Sequence, residues 1–110
     1  MLDVIFKIRG VKMAIKLIAV DLDGTLLSSN NTILPETQRM LRVAVQNGIK
    51  VVLATGRPLS GVLNFAKQLG LEGDDQYAIV FNGAVIQTIS GRVLMSQELN
   101  YQDFNNMLRF

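Results

Sequence analysis

The chain has 110 residues, of which 49% are hydrophobic and 18% charged, and its formal net charge is +2 at pH 7. This composition fits one small globular domain and excludes a disordered or coiled-coil chain. The sequence has no cysteine and no histidine, which excludes disulfides, zinc–thiolate sites and Ser-His or Cys-His catalysis. The small net charge argues against nucleic acid or a membrane surface as a partner.

The first twelve residues, MLDVIFKIRGVK, precede the patterned part of the chain. Their apolar patch is short, includes Asp3 and lacks a small-residue cleavage site, which is unlike a signal peptide. No apolar run approaches the roughly 20 residues that a membrane-spanning helix needs. We therefore expect a strand-like or unstructured extension at 1–12, one domain at 13–110, and a cytoplasmic location, which the absence of cysteine also favours.

From residue 16 onward, strand and helix patterns alternate. Apolar, β-branched runs predict buried strands, and apolar residues at helical spacing predict the helices between them. The predicted elements are a strand at 16–20, a helix from Pro35 to Gly48, a strand at 49–55, a helix from Leu59 to Gly70, a strand at 77–81, a β-hairpin at 85–96 and a helix after the N-cap Asn100. This order predicts an α/β fold, in which helices flank a parallel sheet and the crossovers are right-handed.

Each of the first three predicted strands ends in polar or glycine-containing sequence. The segments are DLDGT after the first strand, TGR after the second and NGA after the third. In open parallel sheets, ligands bind beyond the carboxyl ends of the strands. The three segments are therefore expected to meet along one rim of the sheet.

Two carboxylates, Asp21 and Asp23, follow the first strand directly. They share a side if the strand geometry persists, and their mutual repulsion would raise the pKa of one of them. A divalent cation would instead keep both ionised, and oxygen ligands suit Mg²⁺. Gly24 lets the backbone turn away, and Thr25 can brace the loop by a hydrogen bond. The simpler alternative is that the two acids cap a loop after a strand.

Thr55, Gly56 and Arg57 end the second strand. The hydroxyl of Thr55 and the amides that follow it could hold phosphate oxygens, and Arg57 could pair with substrate oxygens in a bidentate manner. The alternatives are that Thr55 is only a β-branched residue at a strand end, Gly56 only a turn glycine and Arg57 only an exposed cation. Each signal is weak alone, and their common position on one rim is the stronger one.

Taken together, DLDGTLL at 21–27, ATGRP around Thr55 and NGA at 82–84 resemble the motifs of the haloacid dehalogenase superfamily. The set is most similar to the Cof-type branch, and residues 13–100 resemble its YidA-type bacterial sugar phosphatases. The resemblance implies a Rossmann-like core and a Mg²⁺-dependent phosphatase that hydrolyses sugar phosphates or related small phosphomonoesters through an aspartyl-phosphate.

The resemblance also implies roles for individual residues. Asp21 is the expected nucleophile, and Asp23 is the expected acid and base, which first protonates the leaving alcohol and then activates water. Mg²⁺ is expected on the Asp21 carboxylate and the Asp23 backbone carbonyl. The residues expected to bind phosphate and substrate are Thr55, Gly56, Arg57 and Asn82.

One departure from the family pattern concerns its third and fourth motifs. In the family, a lysine and a second acidic motif follow a cap domain, and GDDQ at 73–76 is not that motif because it precedes the third strand. We therefore expect a chain truncated before the cap and the C-terminal half of the core. The alternatives are a non-catalytic remnant, or half of a split enzyme that needs a separate C-terminal part or that self-associates. A receiver-type phosphoacceptor domain is disfavoured, because receivers carry the phosphorylated aspartate after strand three, where this chain has Phe81-Asn82-Gly83.

Overall fold

A computed structural model describes the backbone of residues 5–8 and 11–109, and the burial of side chains from residue 14 to residue 109. The strands and helices, in chain order, are β1 (Ile5–Ile8), β2 (Val11–Ala14), β3 (Leu17–Asp21), α1 (Pro35–Gln46), β4 (Lys50–Ala54), α2 (Leu63–Gln68), β5 (Tyr77–Val80), β6 (Val85–Thr88), β7 (Val93–Ser96) and α3 (Tyr101–Met107). A short helical turn lies at Leu59–Gly61, and turns that contain non-helical residues lie at Leu22–Leu26 and Phe81–Gly83.

The strands form two sheets. β1 and β2 pair antiparallel, and the other five strands form a sheet in the order β3-β4-β5-β6-β7. The first three strands of this sheet are parallel, whereas β6 and β7 join antiparallel. The predicted α/β fold is confirmed, and the predicted hairpin extends the parallel part into a mixed sheet. The predicted domain boundary between residues 12 and 13 falls within β2, and that division stays a prediction.

Helices α1 and α2 pack on the same face of the five-stranded sheet. Along β4, Val51 and Leu53 belong to the core that contains Ala44 of α1 and Ala66 of α2. Side chains alternate between the two faces of a strand, so Val52 points to the opposite face. The buried apolar core consists of Leu22, Leu26, Leu27, Ile33, Ala44, Ile49, Val51, Leu53, Val62, Ala66, Leu69, Leu71, Ala78, Val80 and Val85.

The opposite face of the sheet is apolar and open. Its concavity of about 310 Å³ is lined by Leu17, Val52, Tyr77, Ile79, Ile86 and Leu94. β3 is the edge strand of the sheet as described, and the side chain of Leu17 is 55% exposed. The first strand was predicted to be buried, and the structure differs: β3 is half-buried on the face that the helices cover and exposed on the other.

The ends of the helices follow the sequence signals. Pro35 opens α1, as predicted, since its fixed φ suits the first helical turn. Asn100 caps α3, because its side chain accepts from the Asp103 N–H at 2.8 Å and the Asp103 carboxylate accepts from the Asn100 N–H at 3.2 Å. The helix predicted from Leu59 to Gly70 is instead a short turn followed by α2. Among the described residues, no helix is both long and apolar enough to cross a membrane.

Candidate active site

The carboxyl ends of β3, β4 and β5 meet at one rim, as the strand pattern predicts. The register of the parallel strands aligns Asp21 with Ala54, and Ala54 with Ile79. A cavity of about 310 Å³ opens there. Its lining consists of Asp21, Ala54, Thr55, Gly56, Ile79, Asn82 and Gly83. Four of the predicted site residues, one from β3 and three from the segments after β4 and β5, thus surround a single cavity.

Asp21 is the last residue of β3, and its side chain lines the cavity. The Thr25 hydroxyl donates to Asp21 Oδ2 at 3.2 Å, so the predicted brace of the loop is present. The chain turns between the two residues, where Gly24 adopts a left-handed φ of 79° that glycine tolerates without strain. Of the described residues, Thr25 alone donates a hydrogen bond to this carboxylate, so Asp21 Oδ1 accepts none from them.

Asp23 pairs with Arg57. The guanidinium donates from Nη2 to Asp23 Oδ1 at 2.6 Å and from Nε to Asp23 Oδ2 at 3.0 Å. This fork holds the pKa of the Asp23 carboxyl below its ordinary value, and partial desolvation opposes the effect only in part. Neither side chain is part of the cavity lining. Arg57 was predicted to face substrate, and in this structure its guanidinium is engaged with a carboxylate of its own chain.

Thr55 is buried, with 6% of its surface exposed. Its hydroxyl oxygen accepts from the Arg57 N–H at 3.1 Å, and its carbonyl oxygen accepts from the Asn82 N–H at 3.0 Å. Gly56 lies against the Asn82 side chain, since a Cβ at this position would be 2.8 Å from Asn82 Oδ1. Real Cβ atoms essentially never make so close a contact, so a side chain at this position would displace the Asn82 carboxamide.

The turn after β5 has an unusual backbone. Phe81 and Asn82 both have positive φ values, 51° and 55°, and they are consecutive. Left-handed conformations cost a residue with a side chain about 1–3 kcal/mol, and they cluster at functional sites. The Asn82 N–H bonds to Thr55, and the Phe81 N–H donates to the Arg57 carbonyl at 3.1 Å. These bonds hold the strained turn against the end of β4, with Asn82 at the cavity.

The oxygen donors at the rim fit a hard divalent cation in part. The Asp21 carboxylate faces the cavity, and Mg²⁺ commonly takes one or two carboxylates together with water and substrate phosphate. The described residues contain no cluster of three or more acidic, histidine or cysteine side chains that could hold a metal alone. The rim can therefore supply part of a magnesium coordination shell, and water and phosphate would supply the rest.

Sequence reasoning missed several residues of this site. Ala54, Ile79 and Gly83 line the cavity, and the predicted strand ends already pointed to these positions. Gly61 and Phe65 contact the Arg57 side chain. These two residues read as a turn and part of an apolar helix, and nothing in their spacing signals a contact with Arg57.

Curated relatives that this chain matches carry the names of phosphatases. Residues 18–110 match the family of haloacid dehalogenase-like hydrolases. The phosphatase YwpJ of Bacillus subtilis is 44% identical over 78 residues, which are 71% of this chain and 26% of YwpJ. The chain spans about a third of the length of the first curated relatives that it matches.

Solved structures agree with this assignment. A haloacid dehalogenase-like hydrolase from B. subtilis superposes with a TM-score of 0.72 at 37% identity, covering 86% of this chain and 32% of that one. A subclass IIB sugar phosphatase of the same superfamily superposes with a TM-score of 0.56 at 30% identity, covering 74% of this chain and 31% of that one. The match over residues 18–110 and these superpositions establish that the chain belongs to the haloacid dehalogenase-like hydrolase family.

Proposed function

We propose that this chain carries the nucleophile, the acid–base group and the phosphate cradle of a Mg²⁺-dependent phosphatase. The observation that carries the proposal is the single cavity lined by Asp21, Thr55, Gly56 and Asn82, with Asp23 two residues from the nucleophile. The proposed substrates are sugar phosphates or related small phosphomonoesters. A structural neighbour described as a sugar phosphatase supports this substrate class.

In the proposed reaction, Asp21 Oδ1 attacks phosphorus while the Thr25 hydroxyl holds Oδ2. The bond from phosphorus to the alcohol oxygen breaks, and a proton from Asp23 goes to the leaving oxygen. Water then attacks the aspartyl-phosphate, and its proton passes to the Asp23 carboxylate as the bond between Asp21 and phosphorus breaks. Both half-reactions thus use carboxylates of the segment Asp21–Thr25.

The phosphate cradle supplies donors for the transferring group. In the proposal, the Thr55 hydroxyl, the Gly56 N–H and the Asn82 carboxamide bind phosphoryl oxygens, because all three residues line the cavity. Fixed donors in such a site stabilise charge that develops in the transition state. Mg²⁺, held by the Asp21 carboxylate and the Asp23 backbone carbonyl, would neutralise charge on the phosphoryl group.

A second candidate is a chain that acts only together with a C-terminal part of the fold. It is favoured by the apolar sheet face lined by Leu17, Ile79 and Leu94, which would be covered by that part or by self-association. The coverage supports the same idea, since the chain spans about a third of the length of the first curated relatives that it matches. The absence of cysteine supports a cytoplasmic location for either form.

The test is hydrolysis of p-nitrophenyl phosphate with and without Mg²⁺. The chain is assayed alone and after co-expression with the part of YwpJ that follows the region aligned with this chain. We expect magnesium-dependent turnover in at least one preparation, loss of turnover in D21N, and a fall of about 10²- to 10⁴-fold in D23N. E36Q, which changes an exposed carboxylate that pairs with Arg39 on α1 and does not line the cavity, is the matched control. Absence of turnover in both preparations, or full turnover in D21N, would contradict the proposal.

A further inference from the structure

The Arg57 side chain is held by several groups besides Asp23. Its Nη1 donates to the Gly61 carbonyl at 3.4 Å, and its guanidinium carbon lies 5.5 Å from the centroid of the Phe65 ring. A Cβ on Gly61 would come within 3.2 Å of both Cβ and Cδ of Arg57. The absence of a side chain at Gly61 and the aromatic face of Phe65 thus leave space that the Arg57 side chain fills.

The guanidinium at the end of this side chain donates to both oxygens of the Asp23 carboxylate. A guanidinium presents its N–H groups as a rigid planar fork, which fixes the plane of a carboxylate as well as its position. Asp23 is otherwise about half exposed, with 51% of its side chain accessible. A lone aspartate so exposed would sample several rotamers, and the fork restricts it to one.

We propose that Arg57 is a positioning residue, which orients the Asp23 carboxylate to accept the proton of the attacking water, and that Arg57 does not bind substrate phosphate. The inference rests on the proposed function. Each carboxylate oxygen has a second lone pair beyond the one that Arg57 occupies. The proton of water moves to that oxygen while the water oxygen bonds to phosphorus and the bond from phosphorus to Asp21 breaks.

This role predicts a specific kinetic pattern for R57Q. With p-nitrophenyl phosphate, the leaving phenolate needs no proton from Asp23, so R57Q slows only the hydrolysis of the aspartyl-phosphate. Slower hydrolysis lowers kcat and KM together, so kcat/KM stays constant and the covalent intermediate accumulates. A misplaced reacting group can cost up to about 100-fold, and we expect a fall of about 10- to 100-fold in kcat. If Arg57 instead binds the substrate, R57Q raises KM, lowers kcat/KM and reduces the intermediate. Intact-protein mass spectrometry after acid quench measures the phosphorylated fraction.

The kinetics use whichever preparation turns over p-nitrophenyl phosphate. R39Q is the matched control, because Arg39 forms the same kind of fork with Glu36, at 2.6 and 3.3 Å, on α1. R57K keeps the charge without the fork, so we expect it to lie between R57Q and the unsubstituted protein. G61A removes no charged group but displaces Arg57, and we expect it to shift kcat and the intermediate in the same direction.

A spectroscopic test separates this inference from the proposed function. With ¹⁵N-arginine labelling of the chain, the Arg57 Nε–H resonance, assigned by its loss in R57K, should move in D23N and G61A and stay unchanged in E36Q. Absence of turnover in the unsubstituted protein would count against the proposed function. An Arg57 resonance that does not respond to D23N, or a lower kcat/KM in R57Q, would overturn the positioning role.

Discussion

The close approach of Gly56 to Asn82 makes G56A an informative substitution. An added Cβ would lie 2.8 Å from Asn82 Oδ1, and ordinary contact begins at 3.4 Å, so the carboxamide must retreat by about 0.6 Å. Overpacking typically costs about 1–3 kcal/mol. Asn82 is exposed and its side chain can rotate, so we expect a loss near the lower limit, about 1 kcal/mol of unfolding free energy.

The functional effect of G56A should exceed its effect on stability. Displacing the carboxamide removes one donor from the cavity, and a hydrogen bond to a charged group is worth about 1.5–3 kcal/mol. At 1.4 kcal/mol per tenfold change in affinity, inorganic phosphate should bind about 10- to 100-fold more weakly. Isothermal titration calorimetry with phosphate measures this loss, and urea unfolding measures the stability.

The double variant with N82G decides whether the contact is the cause. N82G removes the atoms that the new Cβ would strike, and it also suits the left-handed backbone at this position. We therefore expect G56A to be destabilising in the parent and nearly neutral in N82G, a coupling of about 1 kcal/mol for residues in contact. Equal destabilisation in both backgrounds would refute the reasoning.

Two further predictions concern stability. The pKa of Asp23 is lowered by Arg57 and that of Glu36 by Arg39, so each pair contributes stability above the ordinary carboxyl pKa, and this stability is lost as pH falls through the folded-state pKa. In urea unfolding, R57Q and R39Q should therefore each lose less stability than the parent between neutral pH and pH values below about 4. A loss equal to that of the parent would contradict the pairing. L53A should lower the free energy of unfolding by about 2–5 kcal/mol because Leu53 is fully buried. L94A lies on the open sheet face with 47% of the residue exposed, so it should change that free energy by about 0.5 kcal/mol or less. Equal losses would contradict a core on one face of the sheet.

The rim of the sheet could be predicted because its signals are local. Apolar runs mark β3, β4 and β5, and the polar residues that interrupt them mark the strand ends. The rule for parallel sheets then brings those ends together. The same locality explains the correct prediction of the Pro35 start of α1 and the Asn100 cap of α3.

The partner of Arg57 could not be predicted in this way. Asp23 and Arg57 are 34 positions apart, and no periodicity relates them. The path of the arginine depends on Gly61 and Phe65, whose sequence context predicts only a turn and an apolar helix. The exposure of one sheet face could not be predicted either. Apolar residues on both faces of β3 predict that both faces are covered by other elements.

The loop that carries both acids owes its precision to the leucines between and behind them. Leu22 is fully buried and Leu26 and Leu27 are each 5% exposed, while Asp21 and Asp23 on either side of Leu22 are exposed. Burying such a side chain contributes about 1.5–3 kcal/mol, so a conformation that turned an acid inward would have to expel Leu22 from the core. β3 pairs with β4 alone among the described strands, and an edge strand by itself would hold Asp21 loosely. The buried leucines compensate by fixing the chain immediately after the strand. In DLDGTLL, therefore, the buried leucines fix the backbone positions from which the two aspartates project.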